Sequence, residues 1–351
     1  MNTYKKLLIA LVIIITFYLL YILINKRLNI NNIVLENMDT DESPGENNEF
    51  LVIQNIPIPS IGNAPIHIID LPIREYIIKS SYNSAFTGSF VNLEMVEHLL
   101  LRGCRFLDFE IYNIDNQTYV GTSSDVNSLE ISSTNKILLN YIFKTISNNA
   151  FKSPIPNVND PCFIHLRIKT DNNDTYKDIA NLIDVYFKDR LHKGKITGST
   201  KLSEISGKII IVIDKNTAPN YNKYPVCSSD KNQICYNLKN FVNLESGGDS
   251  LRTYRYSTII NEKNTPPLIM DDKLNSNVFN YKLILPDLGG NLFGIMNNPD
   301  HNLLISNHSA QIICYNFYNR DSNLDKYEKF FGFFKSSFVP FSSAVPFLKQ
   351  M

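Results

Sequence analysis

The sequence predicts an α/β fold, and a TIM-type (β/α) barrel is the preferred architecture over an open sheet. Apolar, strand-like runs alternate with segments that carry apolar residues at helical spacing. The helical segments are long enough to connect parallel strands as crossovers. The composition, with 44% hydrophobic and 19% charged residues, is typical of a folded chain with a sizeable core. Periodicity alone does not distinguish a closed barrel from an open sheet.

The first predicted elements follow in strict alternation. EYIIKSS, residues 75–81, is a strand, and NLEMVEHLLLRG, residues 92–103, is a helix that ends at Gly103. CRFLDFEIY, residues 104–112, is the next strand. Its acidic residues Asp108 and Glu110 are two apart and therefore share one face.

The same alternation continues towards the C-terminus. The predicted strands are CFIHLRI (162–168), KIIIVID (208–214), YKLILPD (281–287) and AQIICYNFY (310–318). The predicted helices are NKILLNYIFKTISNNAF (135–151), DTYKDIANLIDVYFKDRL (174–191) and NLDKYEKFFGFF (323–334). The region from about residue 216 to residue 280 is rich in loop residues, and the sequence predicts no element there.

A long apolar segment precedes this body. Leu7–Ile24 is uncharged and, as a helix, spans a hydrocarbon core of roughly 30 Å. No small-residue cleavage site follows, so an uncleaved anchor is favoured over a signal peptide. The predicted organisation is a tail (1–6), a transmembrane anchor (7–25), a flexible acidic linker (26–60) and a barrel (61–351). Flanking lysines and arginine slightly favour a cytoplasmic N-terminus, which places the body in a lumen or outside the cell.

Charge and cysteine content limit the functional classes. Lys+Arg and Asp+Glu both number 34, so no global field attracts nucleic acid, and no nucleic-acid partner is expected. Five cysteines are too few for a disulfide scaffold. Cys227 and Cys235 bracket a polar loop and fit either a small bridge or two free thiols. The other three lie in apolar runs and are expected in the core.

Several stretches taken together resemble a known family. EYIIKSSYNSAFTG, GCRFLDFEIYN, YVGTSS and KLSEISGKIII, in this order, resemble the X region of phosphoinositide-specific phospholipase C, over residues 70–215. AQIICYNFYNRDSNLDKYEKFF resembles its Y region more weakly, over residues 280–340. The resemblance implies a PLC-like phosphodiesterase fold, which is a TIM-type barrel. It also implies phosphodiester cleavage by two histidines with the help of a calcium ion.

Both histidine positions are replaced in this chain. The Ser-Ser-His-Asn sequence of the family reads Ser80-Ser81-Tyr82-Asn83, so Tyr82 stands at the first histidine. The His-Gly sequence reads Val120-Gly121, so Val120 stands at the second. A phenol has an ordinary pKa near 10, and valine carries no titratable group. No catalytic residue of the family pattern is therefore intact.

The implied calcium site is kept only in part. Asn83 matches the asparagine ligand, while Asp108 and Glu110 match the acidic pair in exchanged order. These oxygens still suit a hard cation, so Ca²⁺ stays a candidate ligand of the acidic pair. Arg167 stands at the fourth ligand, and we expect its guanidinium to replace the metal and neutralise the acids.

The positions implied for substrate phosphate also differ. Val212 and Asp214 replace two lysines, with Lys215 one step further on, and Leu283 lies near the family arginine with Lys282 beside it. Fewer cations predict weaker binding of a multiply charged inositol phosphate. The remaining candidates for head-group binding are Lys79, Arg105, Arg167 and Lys169.

These substitutions predict a membrane-anchored phospholipase C-like protein without phosphodiesterase activity, which binds a lipid head group or a protein partner and needs no cofactor. One alternative is an active phosphoric diester hydrolase with an altered mechanism, in which His165 or an acid of the Asp108/Glu110 pair transfers the proton. Another is a structural membrane or surface protein. The aromatic segment FFGFFKSSFVPF is interpreted as packing around the barrel, with a lipid-inserting surface as the alternative.

Overall fold

The computed structural model describes residues 44–125, 128–170, 172–223, 236–270, 276–287 and 297–350. The chain divides into two units, Met1–Val52 and Ile53–Met351. The predicted anchor, and the segment with Cys227 and Cys235, lie outside the described residues. Among the residues that are described, no helix has the length and apolar character needed to span a bilayer.

Thirteen strands and nine α-helices are found in the described ranges. The strands are β1 Tyr76–Ser81, β2 Phe106–Ile114, β3 Gln117–Gly121, β4 Ile137–Leu138, β5 Cys162–Ile168, β6 Ile209–Asp214, β7 Leu244–Ser246, β8 Arg252–Arg255, β9 Leu268–Ile269, β10 Ser276–Asn277, β11 Lys282–Leu285, β12 Ile312–Tyr315 and β13 Phe338–Pro340. The helices are α1 Pro44–Gln54, α2 Leu93–Leu101, α3 Leu139–Asn149, α4 Asn173–Phe187, α5 Leu202–Ile205, α6 Tyr256–Ile259, α7 His301–His308, α8 Ser322–Phe334 and α9 Phe341–Gln350.

Eight of these strands form a nearly closed parallel barrel. Their order is β7-β6-β5-β2-β1-β12-β11-β8, and each of the seven recorded pairings along this path is parallel. The hairpin of β3 and β4 extends from β2, and β13 pairs antiparallel with the first half of β1. The predicted α/β barrel is therefore confirmed.

The open seam lies between β7 and β8. Residues 247–251 are all that connects these two strands. A parallel pair needs a crossover of about a dozen residues or more, so a five-residue connection cannot bring β8 back alongside β7. Gly247 N–H instead donates to Leu251 O and Thr253 Oγ1 across the turn, both at 3.0 Å.

Alternate residues of each barrel strand point inward. The part of the interior away from the carboxyl ends of the strands is apolar. It is filled by residues that include Ile78, Phe106, Phe163, Ile210 and Ile312. Because side chains alternate along a strand, the even-numbered positions of β1 and β2 face this core and the odd-numbered ones face the surrounding helices. Charged groups enter the interior at the carboxyl ends of the strands, where a TIM-type barrel carries its functional site.

Three sequence predictions need correction. The region 216–280 contains β7 and β8, two barrel strands of three and four residues, which are too short to show a period. Ile137–Leu138, predicted as helix, pairs with β3 as a short strand before α3 begins. Residues 44–54, assigned to the flexible linker, form helix α1.

Candidate functional site

Two neighbouring strands place the acidic residues beside a cation at the barrel mouth. In the register of β2 and β5, Asp108 lies opposite His165 and Glu110 lies opposite Arg167. All four side chains are at most 1% exposed. The i, i+2 spacing on both strands points them into the same interior, as the alternation rule requires.

The guanidinium of Arg167 lies between three oxygen-bearing side chains. Its Nε and Nη2 donate to Asp108 Oδ1 and Oδ2 at 2.9 and 2.7 Å. Its Nη1 donates to Glu110 Oε1 at 2.5 Å, and Nη2 also donates to Asn83 Oδ1 at 2.6 Å. One planar fork thus binds the two carboxylates and the amide that the sequence resemblance assigned to a metal site.

The remaining carboxylate lone pairs also have partners. Asn83 N–H donates to Asp108 Oδ2 at 3.0 Å, while Tyr112 Oη and Ser123 N–H donate to Glu110 Oε2 at 2.6 and 2.8 Å. Burial alone would raise the pKa of Asp108, but Arg167 and His165 outweigh burial and hold that pKa well below its usual range. Burial opposes the charge of Arg167 as well, yet Asp108, Tyr82 and Glu110 keep its pKa well above the ordinary value.

Tyr82 packs directly against this cluster. The Arg167 guanidinium lies 4.5 Å from the centre of the phenol ring, a cation–π contact. Tyr82 is 1% exposed, and its hydroxyl has no hydrogen-bond partner among the described residues. Burial raises the pKa of Tyr82 to about 12, although Arg167 opposes the shift. The phenol therefore stays protonated near neutral pH and cannot act as a general base there.

Asn83 makes the turn that ends β1. Its φ of 42° lies in the left-handed region, which asparagine tolerates better than most residues. Ser84 fixes the next step of the chain, because Ser84 N–H donates to Asp108 O and Ser84 Oγ accepts from Asp108 N–H, at 2.7 and 2.8 Å. The Asn83 amide is thereby aimed at Arg167.

Val120 lies on the hairpin beside the mouth. It pairs with Ile111 and Ile137 in the β2-β3-β4 ladder and is 3% exposed. Together with Asn83 and Glu110 it lines a narrow crevice with no room for a water molecule. Val120, at the second histidine position of the family pattern, therefore presents only an apolar side chain to the mouth.

A wider cleft of about 510 Å³ opens at the carboxyl ends of the strands. Its charged lining groups are Lys169, Asp214 and Arg255, from the ends of β5, β6 and β8. Its other lining residues are Ser128, Leu129, Asn216, Thr217, Thr253, Tyr254, Thr258 and Leu285. The cleft combines two cations with several hydroxyl and amide groups, which suits a small anionic ligand.

The two cations of the cleft keep unused donors. Lys169 Nζ donates to Asp125 O and Ser128 O at 2.8 and 3.4 Å and lies 4.0 Å from Glu110 Oε2. Burial lowers the pKa of Lys169. Arg255 Nη1 donates to Pro286 O at 2.5 Å, and no further acceptor for this guanidinium is recorded in the described ranges. Sequence reasoning missed Arg255 because β8 has four residues and no visible period.

Lys79 and Arg105 do not lie at the mouth, which corrects the sequence interpretation. Both occupy odd-numbered positions, so they point away from the interior. Lys79 pairs with Glu328 Oε1 at 2.8 Å, and Arg105 donates to Asn157 Oδ1 at 2.7 Å, outside the barrel. Their burial is complete, so neither is available to a ligand in the cleft.

The other positions considered for phosphate are also dispersed. Val212 and Leu283 belong to the apolar core. Lys282 is buried at the opposite end of β11, where Nζ donates to Thr265 Oγ1 at 2.6 Å. Lys215 is partly exposed and pairs with Glu245 Oε2 at 3.3 Å, while Asp214 lines the cleft.

His165 is enclosed by two partners. Its Nδ1 lies 2.7 Å from Asp108 Oδ1 and its Nε2 lies 2.8 Å from Ser246 Oγ. Both His165 and Ser246 are 0% exposed. The order Asp-His-Ser matches that of a nucleophilic triad, but a nucleophile must be reachable by substrate, and this hydroxyl is not.

Comparison with known proteins finds a family model that matches part of this barrel. Residues 69–215 match the family model described as phosphatidylinositol-specific phospholipase C, X domain. The resemblance to this X domain is confirmed. The matched range agrees with the predicted X region, 70–215, to within one residue at its start. It ends before the predicted Y region, 280–340, so that part of the resemblance stays a prediction.

Two solved structures share the fold of most of this chain. PLC21 from L. pealei is 15% identical over 79% of this chain and 39% of that chain, with a TM-score of 0.55. PLC21 from S. officinalis is 15% identical over 79% and 38%, also with a TM-score of 0.55. This chain thus spans about two fifths of the length of either protein, and the similarity concerns the fold alone. A calcium-dependent phosphoinositol-specific phospholipase C from Pseudomonas sp. is 13% identical over 54% and 79%, and its TM-score of 0.37 does not establish a shared fold. No curated protein matches the sequence.

The X-domain resemblance implies a calcium ion, and the residues present do not fit one. Ca²⁺ takes six to eight oxygen ligands, yet Asp108, Glu110 and Asn83 already give their oxygens to a guanidinium. A divalent ion beside Arg167 would meet a fixed positive charge in a site with little solvent. Within the described ranges, no group of three His, Cys, Asp or Glu side chains is placed to hold a metal.

Proposed function

We propose that this chain is a phospholipase C-like protein without phosphodiesterase activity, which binds a compact phosphate-bearing head group in the cleft of its X-domain barrel. The observation that carries the proposal is the position of Arg167. Its guanidinium holds Asp108, Glu110 and Asn83 together, so the charge that a metal would supply comes from the protein itself. The N-terminal apolar segment, Leu7–Ile24, anchors the protein in a membrane as a single span.

The loss of catalysis rests on the absence of a usable proton-transfer pair. Tyr82 holds its proton because burial raises its pKa to about 12, and Val120 has none to give. His165, the histidine of the runner-up mechanism, is 0% exposed and has a partner on each ring nitrogen. General acid/base catalysis needs a titratable group within reach of the substrate, and none of these three supplies it.

The binding role rests on the cleft itself. Lys169 and Arg255 supply two cations, while Asp214 supplies one carboxylate. Charge-assisted hydrogen bonds to phosphate are stronger than neutral ones. Two cations fit a single phosphate group better than a multiply phosphorylated ring, whose further charges would meet Asp214.

Catalysis is tested with calcium binding and phosphatidylinositol cleavage, measured on the full chain in detergent. The parent protein is compared with the triple variant Tyr82→His, Val120→His, Arg167→Glu. We expect neither calcium binding nor turnover from the parent, and restored calcium binding in the variant. Turnover by the parent would overturn the proposal and direct attention to His165.

Ligand binding is tested by calorimetry with inositol 1-phosphate. Lys169→Met and Arg255→Met should each weaken binding about tenfold or more, because each removes a charged donor worth roughly 1.5–3 kcal/mol. Lys215→Met is the matched control, since Lys215 is a partly exposed lysine that pairs with Glu245 away from the cleft lining. Equal affinity in all three variants would contradict the assigned site.

A further inference from the structure

An exposed cluster of phenylalanines lies on the outer helices of the barrel. Phe333 at the end of α8 is 63% exposed and stacks on Phe347 of α9, with ring centroids 4.3 Å apart. Phe334 contacts both rings edge-on at 5.1 and 5.2 Å, and the buried Phe330 supports Phe334 from below at 5.2 Å. The exposed ring is thus held rigidly by a stack that reaches into the core.

Lysines surround this cluster. Lys326 and Lys329 lie seven and four residues before Phe333 on α8, so they share its face of the helix, and both are exposed. Lys335 follows α8 directly, and Lys349 lies near the end of α9; both are also exposed. No carboxylate of the described residues lies within ion-pair distance of any of the four. We call Phe333, Phe347 and these four lysines the aromatic–lysine face.

This face lies where the chain enters the barrel unit. Gly62 N–H donates to Lys335 O at 3.0 Å, and Pro59 lies against Gly332. Ile58, in the same entering segment, is 49% exposed. The strand that follows Lys335, β13, pairs with Tyr76–Ile78 in the first half of β1, far from the carboxyl ends that form the mouth.

We propose that the aromatic–lysine face docks on an anionic lipid bilayer. Rigid aromatic rings bordered by exposed lysines match the interfacial region of a membrane, where rings enter the headgroup layer and lysines meet anionic lipids. Protein interfaces, by contrast, are depleted in lysine. The predicted anchor, Leu7–Ile24, would tether the barrel unit to a bilayer. Docking through this face leaves the mouth open at the other end, so the inference does not depend on head-group binding in the cleft and rests only on the proposed anchor.

The chain contains no tryptophan, so a single introduced one reports on this face alone. Phe333→Trp is made in the full chain and reconstituted into bilayers with and without anionic lipid. We expect blue-shifted emission, and quenching by brominated acyl chains, in anionic bilayers, with both effects weakened in neutral bilayers and at high salt. Tyr141→Trp is the control, because Tyr141 is 48% exposed on α3, away from the face. It should stay red-shifted and unquenched in every bilayer.

Charge is tested separately in the Phe333→Trp background. Replacing Lys326, Lys329, Lys335 and Lys349 with glutamine should reduce the docked fraction, at roughly fivefold in the docking constant for each lysine. These exposed positions leave the core intact, and circular dichroism of each variant verifies folding. The proposal is overturned if the Phe333→Trp emission is the same in anionic and neutral bilayers and no more quenched than Tyr141→Trp. A shift that survives loss of all four lysines also overturns it, since the face would then act through its apolar part alone.

Discussion

The wall formed by β1 and β2 separates two buried ion networks with different charge balance. The inner network, at the mouth, contains the carboxylates of Asp108 and Glu110 with the cations of Arg167 and Lys169. The outer network, between the wall and the helices, contains one carboxylate and two cations. There, Glu328 Oε1 and Oε2 pair with Lys79 and Arg102 at 2.8 and 2.7 Å.

The two networks differ in which groups compensate their buried charges. In the inner one, a single guanidinium donates hydrogen bonds to both acids and is the cation that they share. In the outer one, the surplus positive charge is stabilised by carbonyl oxygens: Lys79 donates to Arg102 O at 2.6 Å, and Arg102 donates to Ile56 O and Pro57 O at 3.0 Å. Carbonyl dipoles remain when one cation is removed, whereas a buried carboxylate that loses its cation stays charged. The inner network should therefore be fragile and the outer one tolerant.

Arg167→Met should have the largest effect. The substitution keeps an extended side chain but leaves Asp108 and Glu110 without their shared cation, at a cost of about 4 kcal/mol in the free energy of unfolding. Denaturant unfolding of the full chain in detergent measures this cost. Because the pKa of Asp108 is held below its usual range by Arg167, the stabilisation is present above the unfolded-state pKa near 4 and is lost as the pH falls. The deficit of the variant should accordingly shrink in acid, and a deficit independent of pH would contradict this assignment.

A buried histidine beside the outer network should make the stability of the protein depend on pH. Burial and the nearby Arg102 lower the pKa of His98 to about 4. In the unfolded state His98 has an ordinary pKa near 6.5 and therefore binds a proton at a higher pH than in the folded state. The contribution of neutral His98 to the free energy of unfolding is complete above pH 6.5 and is lost as the pH falls towards 4. The loss amounts to about 3 kcal/mol from a shift of this size.

His98→Gln should remove that part of the pH dependence while it leaves a polar side chain in place. The free energy of unfolding of parent and variant is measured from pH 7 to pH 4, and the parent should lose about 3 kcal/mol more than the variant over this range. Parallel curves would mean that the pKa of His98 is not lowered in the folded protein.

The alternation of side chains along a strand explains which of these features the sequence predicts. The strands β1, β2, β5 and β6 are predicted because each begins with a run of two or more apolar residues, and the spacing of Asp108 and Glu110 correctly places them on one face. The same rule, applied to β1, would have separated the outward Lys79 from the inward Tyr82. Lys79 is a candidate for the mouth only because of its charge, whereas its odd-numbered position places its side chain outside the barrel.

Other features were beyond the reach of local patterns. β7 and β8 have too few residues for a period, and their place in the barrel depends on pairing with distant strands. Arg255 reaches the cleft only because β8 closes one side of the seam. The outer network joins β1 to α8, nearly 250 residues away, through a contact that no spacing in the sequence encodes.

Lys79→Met should have the smallest effect, and it forms a matched pair with Arg167→Met. Arg102 still pairs with Glu328 after the substitution, so a balanced ion pair remains, and the methionine side chain can occupy the apolar surroundings near Phe331. The lost hydrogen bond to Arg102 O leaves one carbonyl without its donor, which costs about 1 kcal/mol. Unfolding of both methionine variants under the same conditions compares the two sides of the wall directly. If Lys79→Met destabilises the protein as much as Arg167→Met, the second cation of the outer network is required for its balance, and the contrast between a fragile interior and a tolerant exterior is wrong.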